Sequence, residues 1–561
     1  MKNSRYITVL AFAGSLLLGG CVAMDDIKPQ SGTLLKGQLD ETTEAVPSRA
    51  DAQYVGMYTK LGDPLSFGRF TSDRPDDFSF IMMAISNDLE AADVVTANNN
   101  YNWFSPCMEL SSRNADYANP YIRYRGIYDE ISRAHDVMNL YGEITEETDP
   151  EIRYRVAQAY AIRAFSYLNI APYFQFNYQY GDNKNLPCVP IVTLETTDFA
   201  NNPRATVEKV YNQIVSDLTY AIENLEGYDR AGDKSKIDQQ VAYGLRARAY
   251  LDMGMYAEAA ADAEKAMAGY TPASIDEVSK PSFYSLSEHN WIWGYDMTLD
   301  VANKFSVATA SAWIRSFSSN GYSTGTGTYW RINNLLYDKI PDSDVRKGWW
   351  LDETMYSPLL DGLTWTIGGV SVSGQDIATE QIVVENSVVK MPFDTYTNVK
   401  FGMNTIGGVN NDEDWPFMRV EEMILIRAEG LVKSGQVDAG VQVLNDFVRN
   451  YRNPEYNATA SGYGGRSLED EIWFQRRIEL WGEGLSNADT RRLNKPLVRF
   501  HEGATSNFPE AYRINMPADD TWWLLSFCTD ELDTNMGIVD NEHGAAPKAG
   551  QYGNLRDGVT D

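Results

Sequence analysis

"LRARAYLDMGMYAEAAADAEKAMAGYTP", Leu245 to Pro272, is the stretch on which the architecture turns. In it, Ala247 is followed three residues on by the bulky Tyr250 and four later by Gly254. The same order returns in "IRAFSYLNIA", Ile162 to Ala171, and in "IRAEGLVKSG", Ile426 to Gly435. A small residue and a bulky one three apart share a helix face, so each segment predicts a helix interior. Counting from Gly254, the next landmarks are Tyr256 at +2, Ala259 at +5, Ala266 at +12 and Pro272 at +18. The third copy has Val437, Gly440 and Phe447 at the first three of these offsets, with Pro454 one position late.

This spacing is close to that of the tetratricopeptide repeat, whose small residues let two antiparallel helices touch. A single helix pair exposes an apolar face unless a neighbour stacks on it, so several pairs predict a superhelical stack. Residues 271–415 break the pattern. They are rich in Gly, Ser, Thr, Trp and Tyr and contain the strand-like fragments "WIWGY" and "QIVVENSVVKM". Such a stretch reads as an irregular, aromatic-rich subdomain built on the repeat scaffold, where binding sites commonly sit. The expected fold is mainly α: a tetratricopeptide-like helical repeat superhelix carrying that subdomain.

A chain of 561 residues with 43% hydrophobic content is long enough to bury a large core. Its formal charge is −30, and removing residues 1–20 takes away Lys2 and Arg5 but no acid, leaving −32. That surface repels phosphate backbones, so no nucleic-acid partner is expected. Cys107, Cys188 and Cys528 are too widely spaced for a disulfide framework and are expected to be buried free thiols. Four histidines leave little for metal or histidine-based chemistry, whereas 34 Tyr and 13 Trp provide flat faces with polar edges for an amphipathic ligand.

Lys2 and Arg5 precede an apolar run from Tyr6 to Leu18, too short to span a bilayer, which reads as a secretion signal. Leu18-Gly19-Gly20-Cys21 resembles a bacterial lipobox, in which Cys21 is acylated and becomes the new first residue. Each buried acyl CH₂ contributes about 0.8 kcal/mol, so several chains would hold the protein on a membrane. The division expected is a leader (1–20), an acylated polar tether (21–50), a first helical-repeat part (51–270) and a second part with the irregular insert and further repeats (271–561).

Several longer segments resemble the SusD/RagB family. They are "RAFSYLNIAPYF" (163–174), Pro-Cys-Val-Pro-Ile-Val (187–192) and "RATVEKVYNQIVSDLTYAIENL" (204–225). Farther on stand "LLYDKIPDSDVRK" (335–347), "MRVEEMILIRAEGL" (418–431) and "IWFQRRIELWGEGLSNADTRRL" (472–493). Six motifs in register cover residues 50 to 540. Departures are Gln475 for the usual Glu, Ser486 for Arg and Thr490 for Leu, all at positions that read as helix packing. The resemblance implies a surface lipoprotein, Asp25 and Asp26 being similar to the acidic flag that directs such proteins outward in the Bacteroidota. It also implies a binder of nutrients, usually an oligosaccharide, acting as a lid on a SusC-like TonB-dependent transporter of the outer membrane, with no catalysis and no cofactor. RagB-type relatives handle peptides, and a purely scaffolding role is the third reading.

Two segments are the candidate contact regions. In "ANNNYNWFSP" (97–106), asparagines alternate with aromatics, and Tyr101, Asn102 and Trp103 combine amide hydrogen bonding with stacking faces, as a pyranose requires. Around "SSNGYSTGTGTYW", Trp313, Tyr322, Tyr329 and Trp330 stand in or beside a Gly/Ser/Thr-rich loop expected to be open. The tryptophans of "WIWGY" read as core. Gly321-Tyr322-Ser323-Thr324-Gly325 fits the G-x-S-x-G of a serine hydrolase, but Thr-Gly-Thr is a poor helix start, and only His501 and His543 follow.

Overall fold

The computed structural model describes residues 48–63, 80–99, 104–305 and 309–561. Residues 1–20, Cys21 and the tether up to residue 47 lie outside the described residues, as do Tyr101, Asn102 and Trp103. The chain divides into Met1–Val55, of which only the start of one helix is described, and the compact unit Gly56–Asp561.

In chain order come α1 (Ser48–Thr59), α2 (Phe80–Glu90), the short α3 (Ser105–Met108), α4 (Ala118–Tyr141) and α5 (Pro150–Phe174). They are followed by α6 (Val207–Asn224), α7 (Gln239–Met253) and α8 (Tyr256–Ala266). Local chemistry places their ends. Asp149 accepts the Glu151 N–H at 2.9 Å, with Pro150 in the first turn of α5. Asp238 caps α7 by accepting from Val241 N–H at 2.9 Å, and Gly254 ends it in the left-handed conformation, φ 75°.

Helices α4 to α8 pack consecutively, each on the next. The chain then leaves the stack for about 150 residues, a region that contains the short α9 (Tyr322–Thr326), and returns as α10 (Val420–Lys433). Helix α10 packs on α8, on α11 (Val437–Tyr451) and on α12 (Leu468–Glu479), so the stack is continuous in space although interrupted in sequence. After α12 comes the short α13 (Ser486–Arg492). The small residues of the repeat sit at the contacts: a Cβ on Gly430 would lie 2.5 Å from the Tyr256 carbonyl oxygen, and one on Gly440 2.8 Å from that of Ala428. Among the described residues no helix is long and apolar enough to cross a membrane.

The strands form two-stranded antiparallel sheets: β1 (Val94–Val95), β2 (Pro187–Pro190), β3 (Arg204–Thr206), β4 (Trp291–Tyr295), β5 (Arg331–Ile332), β6 (Thr364–Ile367), β7 (Val370–Ser373), β8 (Ile382–Val384), β9 (Ser387–Lys390) and β10 (Trp415–Arg419). Strand β4 pairs with β10, and the tryptophans of "WIWGY" are core as expected, but the other three residues are buried as well, so the strand is buried on both faces and not half-buried as its alternation suggested. "QIVVENSVVKM" forms the β8–β9 hairpin, with Glu385 and Asn386 both at positive φ, as a tight two-residue turn requires.

Three of the family-like motifs meet in one buried ion network. Glu479 of α12 accepts from Arg452 (2.8 Å), Arg346 (3.2 Å) and Arg419 (3.3 Å). Arg346 also pairs with Asp344, Arg419 with Glu421 and Glu483, and Lys400 with Glu483. The four cations and four carboxylates balance, so charge is buried without a net excess. Gln475 accepts from Arg346 at 2.5 Å and donates to Glu471 at 2.8 Å, two roles that a carboxylate could not combine. Cys107, Cys188 and Cys528 are buried free thiols, as expected.

Candidate functional site

The two contact regions picked from sequence converge. Strand β1 pairs with β5, Val94 opposite Ile332 and Val95 opposite Arg331. Phe104, at the entrance to α3, stands edge-on to Trp313 (centroids 5.0 Å, 87°) and to Trp330 (6.0 Å, 90°). The segment holding Tyr101, Asn102 and Trp103 therefore begins and ends at the central subdomain, more than two hundred residues away in sequence.

The base of that segment is held firmly. Arg499, buried, donates to the carbonyls of Leu89 (2.8 Å), Ala91 (3.0 Å), Met108 and Tyr512 (3.3 Å). It has no carboxylate partner among the described residues, and burial pushes its guanidinium down to about 9. Asp93 accepts from Arg477 at 2.6 Å, while its carbonyl accepts from the Trp481 indole at 2.9 Å.

Trp313, Tyr329 and Trp330 require a correction: each is only 1% exposed and belongs to the core beneath this junction rather than to an open ligand surface. The loop is not open because its own polar groups fold it inward. Thr324 Oγ1 donates to the Ser318 carbonyl, and Asn398 Nδ2 donates to the carbonyls of Ile314 and Trp330 at 3.1 Å each. Tyr329 donates its hydroxyl to Met391 O at 3.0 Å and packs on Phe393, and burial drives that hydroxyl well above its ordinary pKa. The alternation Trp330–Arg331–Ile332 was the readable sign of a strand with a buried face. Tyr322 opens α9, and its side chain lies outside the described residues.

Beside Phe104, helices α2, α3 and α4 line a cleft whose lining includes Ser86, Ser112, Tyr117, Asn119 and Arg123. Tyr117 is 48% exposed, a solvent-facing ring that the sequence reading passed over because no repeat or aromatic cluster marks it. Arg123 is fixed by Glu90 at 3.0 Å and lies over the Tyr173 ring. Near the junction Asn98 accepts from the Tyr512 hydroxyl at 3.2 Å, and Arg331 has only long contacts, 3.6 Å to Asp394 and 3.5 Å to Asn507 O. The region thus offers hydroxyl, amide and guanidinium groups beside an aromatic face, the mixture that holds a polar ligand with an apolar side.

No serine nucleophile is assembled from the G-x-S-x-G stretch. Ser323 is buried within α9, His501 bonds the Thr560 carbonyl at 3.0 Å, and His543 lies 2.8 Å from Ser526. Ser526 is itself buried, and among the described residues His543 Nδ1 has no hydrogen-bond partner, so no orienting acid of a triad is seen beside this pair.

The helical-repeat stack with its aromatic-rich insertion is matched by two sequence profiles. One described as "Starch-binding associating with outer membrane" matches residues 74–251, and that of the SusD family matches residues 370–543. Between them they span more than half of the chain, which belongs to the SusD-like family. Solved structures share the fold. A SusD-like carbohydrate binding protein from Bacteroides vulgatus is 23% identical, with a TM-score of 0.66 over 88% of this chain and 97% of that one. A SusD superfamily protein from Bacteroides thetaiotaomicron is 21% identical, with a TM-score of 0.66 over 88% and 99%. A laminarin binding SusD-like protein is 18% identical, with a TM-score of 0.57 over 88% and 98%. No curated protein matches the chain.

Proposed function

We propose that the protein is a cell-surface glycan-binding lipoprotein, anchored through Cys21 in the outer membrane, that captures an oligosaccharide and passes it to a SusC-like TonB-dependent transporter. It binds without chemistry. The observation that carries the reading is the convergence of the Asn/aromatic segment with the central subdomain at Phe104, Trp313 and Trp330, beside the cleft that exposes Tyr117. Tyr101, Asn102, Trp103 and Tyr322 are the proposed contacts, with Tyr117 added, and the buried Trp313, Tyr329 and Trp330 belong to the core beside Phe104. The carbohydrate-binding and laminarin-binding relatives support a glycan as the ligand class. Weak binding suits delivery, because a ligand held too tightly would not leave for the channel.

The test is calorimetric titration of a soluble form starting after Cys21 against host and plant oligosaccharides, laminarin fragments and mixed peptides. Saturable binding of a glycan is expected, and Trp103→Ala should weaken it by about 2 kcal/mol, or roughly 30-fold. Binding of peptides alone would replace the glycan reading, and turnover of any compound would overturn the non-catalytic one.

A further inference from the structure

A second cleft is lined by residues of α5, α7, α10 and α13. Two adjoining recesses share Pro172, Asp252, Ala488, Arg491 and Arg492. Most charged side chains that line them are paired: Arg248 with Glu422 at 2.6 Å, Arg476 with Asp489 at 2.7 Å, and Arg492 with Glu429 at 2.7 Å. Two are not. Arg491 donates to the carbonyls of Pro172 and Gln175, and Asp252 accepts from the Tyr211 hydroxyl at 3.0 Å. Neither makes an ion pair among the described residues.

An arginine and an aspartate that share a recess would ordinarily pair with each other, since half-buried charges are costly to leave uncompensated. Here both keep neutral partners. Burial raises the Asp252 carboxyl to about 6, while burial and the like charge of Arg113 pull Arg491 down to about 10. Leu168, Leu251, Ile426 and Leu485 add apolar surface to the lining, and Ala488, which lines both recesses, is exposed.

We propose that this cleft binds a small zwitterion of amino-acid type: its carboxylate on Arg491, its ammonium on Asp252, and its apolar side chain against the apolar surface of the lining. Arg491 uses few of its five N–H donors on the two carbonyls, leaving others for a carboxylate. The proposal does not depend on the glycan reading, and the two sites are tested apart.

The experiment is calorimetric titration of the form starting after Cys21 with L-leucine, acetate and methylammonium. L-leucine should bind saturably and at least tenfold more tightly than either fragment. Arg491→Met and Asp252→Asn should each weaken it at least tenfold. Ala488→Trp, which adds bulk to the shared lining and leaves both charged residues in the sequence, should abolish leucine binding while leaving the glycan titration unchanged. Leucine binding no tighter than acetate, or binding by either charge variant as tight as that of the wild type, would overturn the proposal. Should those variants not fold, unimpaired leucine binding by Ala488→Trp overturns it alone.

Discussion

Replacing Glu479 by Gln tests whether the buried ion network holds the subdomain to the helical stack. The side chain is fully buried and accepts from three guanidinium groups, twice from Arg452 at 2.8 Å. Gln keeps the shape but turns one acceptor into a donor facing donors, and leaves four buried cations against three carboxylates. Breaking one partner of a buried pair costs about 3–5 kcal/mol. With unfolding entropy of ~2.1 cal/mol/K per residue over the roughly 500 residues of the compact unit, about 1 kcal/mol/K in all, the melting temperature should fall by about 3–5 °C. Scanning calorimetry at pH 7 measures it, and the deficit should persist in 1 M salt because buried charges are poorly screened. The pH dependence has a definite sign. Burial alone would raise the Glu479 carboxyl, but Arg452, Arg419 and Arg346 outweigh it and hold it well below the usual carboxylate range. A depressed folded pKa stabilises the protein above the unfolded value, about 4.3, and that contribution is lost as pH falls through the folded pKa. The gap between wild type and Glu479→Gln should therefore narrow below about pH 4. A drop of under about 1 °C at pH 7, or one that disappears in salt, would refute the reasoning.

Gly430→Val should lower stability by about 1–3 kcal/mol or more, seen as a lower urea midpoint, because its Cβ would meet the backbone of α8 at the Tyr256 carbonyl as well as the Ala260 Cβ. The thiols of Cys107, Cys188 and Cys528 should be silent to Ellman's reagent in the native form starting after Cys21 and react fully in guanidinium chloride. Burial excludes the reagent and lifts Cys188 to about 12 and Cys528 to about 11. Rapid native labelling of any of the three would contradict the packing described.

The helical stack was legible because its signal is local and repeated. Arg-Ala followed by a bulky residue and then Gly or Ala marks the same helix face each time, and Gly430 and Gly440 stand where backbones touch. "WIWGY" was legible too, since alternating tryptophans have few places to go but a core. The loop from Ser318 to Trp330 misled because Gly, Ser and Thr are ambiguous: the same residues that keep a loop solvated can satisfy its backbone from within, as Thr324 does. Only the partner, Asn398, decides between the two, and it lies seventy-odd residues downstream. The ion network was half legible. Its motifs were visible, but nothing in three separate stretches says that Arg346, Arg419 and Arg452 share one carboxylate. Tyr117 carried no signal at all, because an exposed tyrosine becomes a binding face only through what surrounds it.

The break in the stack between α8 and α10 has a consequence for assembly. Helices α4 to α8 pack on their neighbours in sequence and can associate early, although α4, α5 and α7 also contact later segments; the face of α8 that receives α10 must wait until about 150 further residues are in place. Until then Ala259, Ala260 and Ala263, buried in the finished protein, have no neighbour on one side. The closing of the stack is thus a late, long-range event, and the subdomain between acts as a timer: however its loops diversify to suit a ligand, they must still deliver α10 to α8.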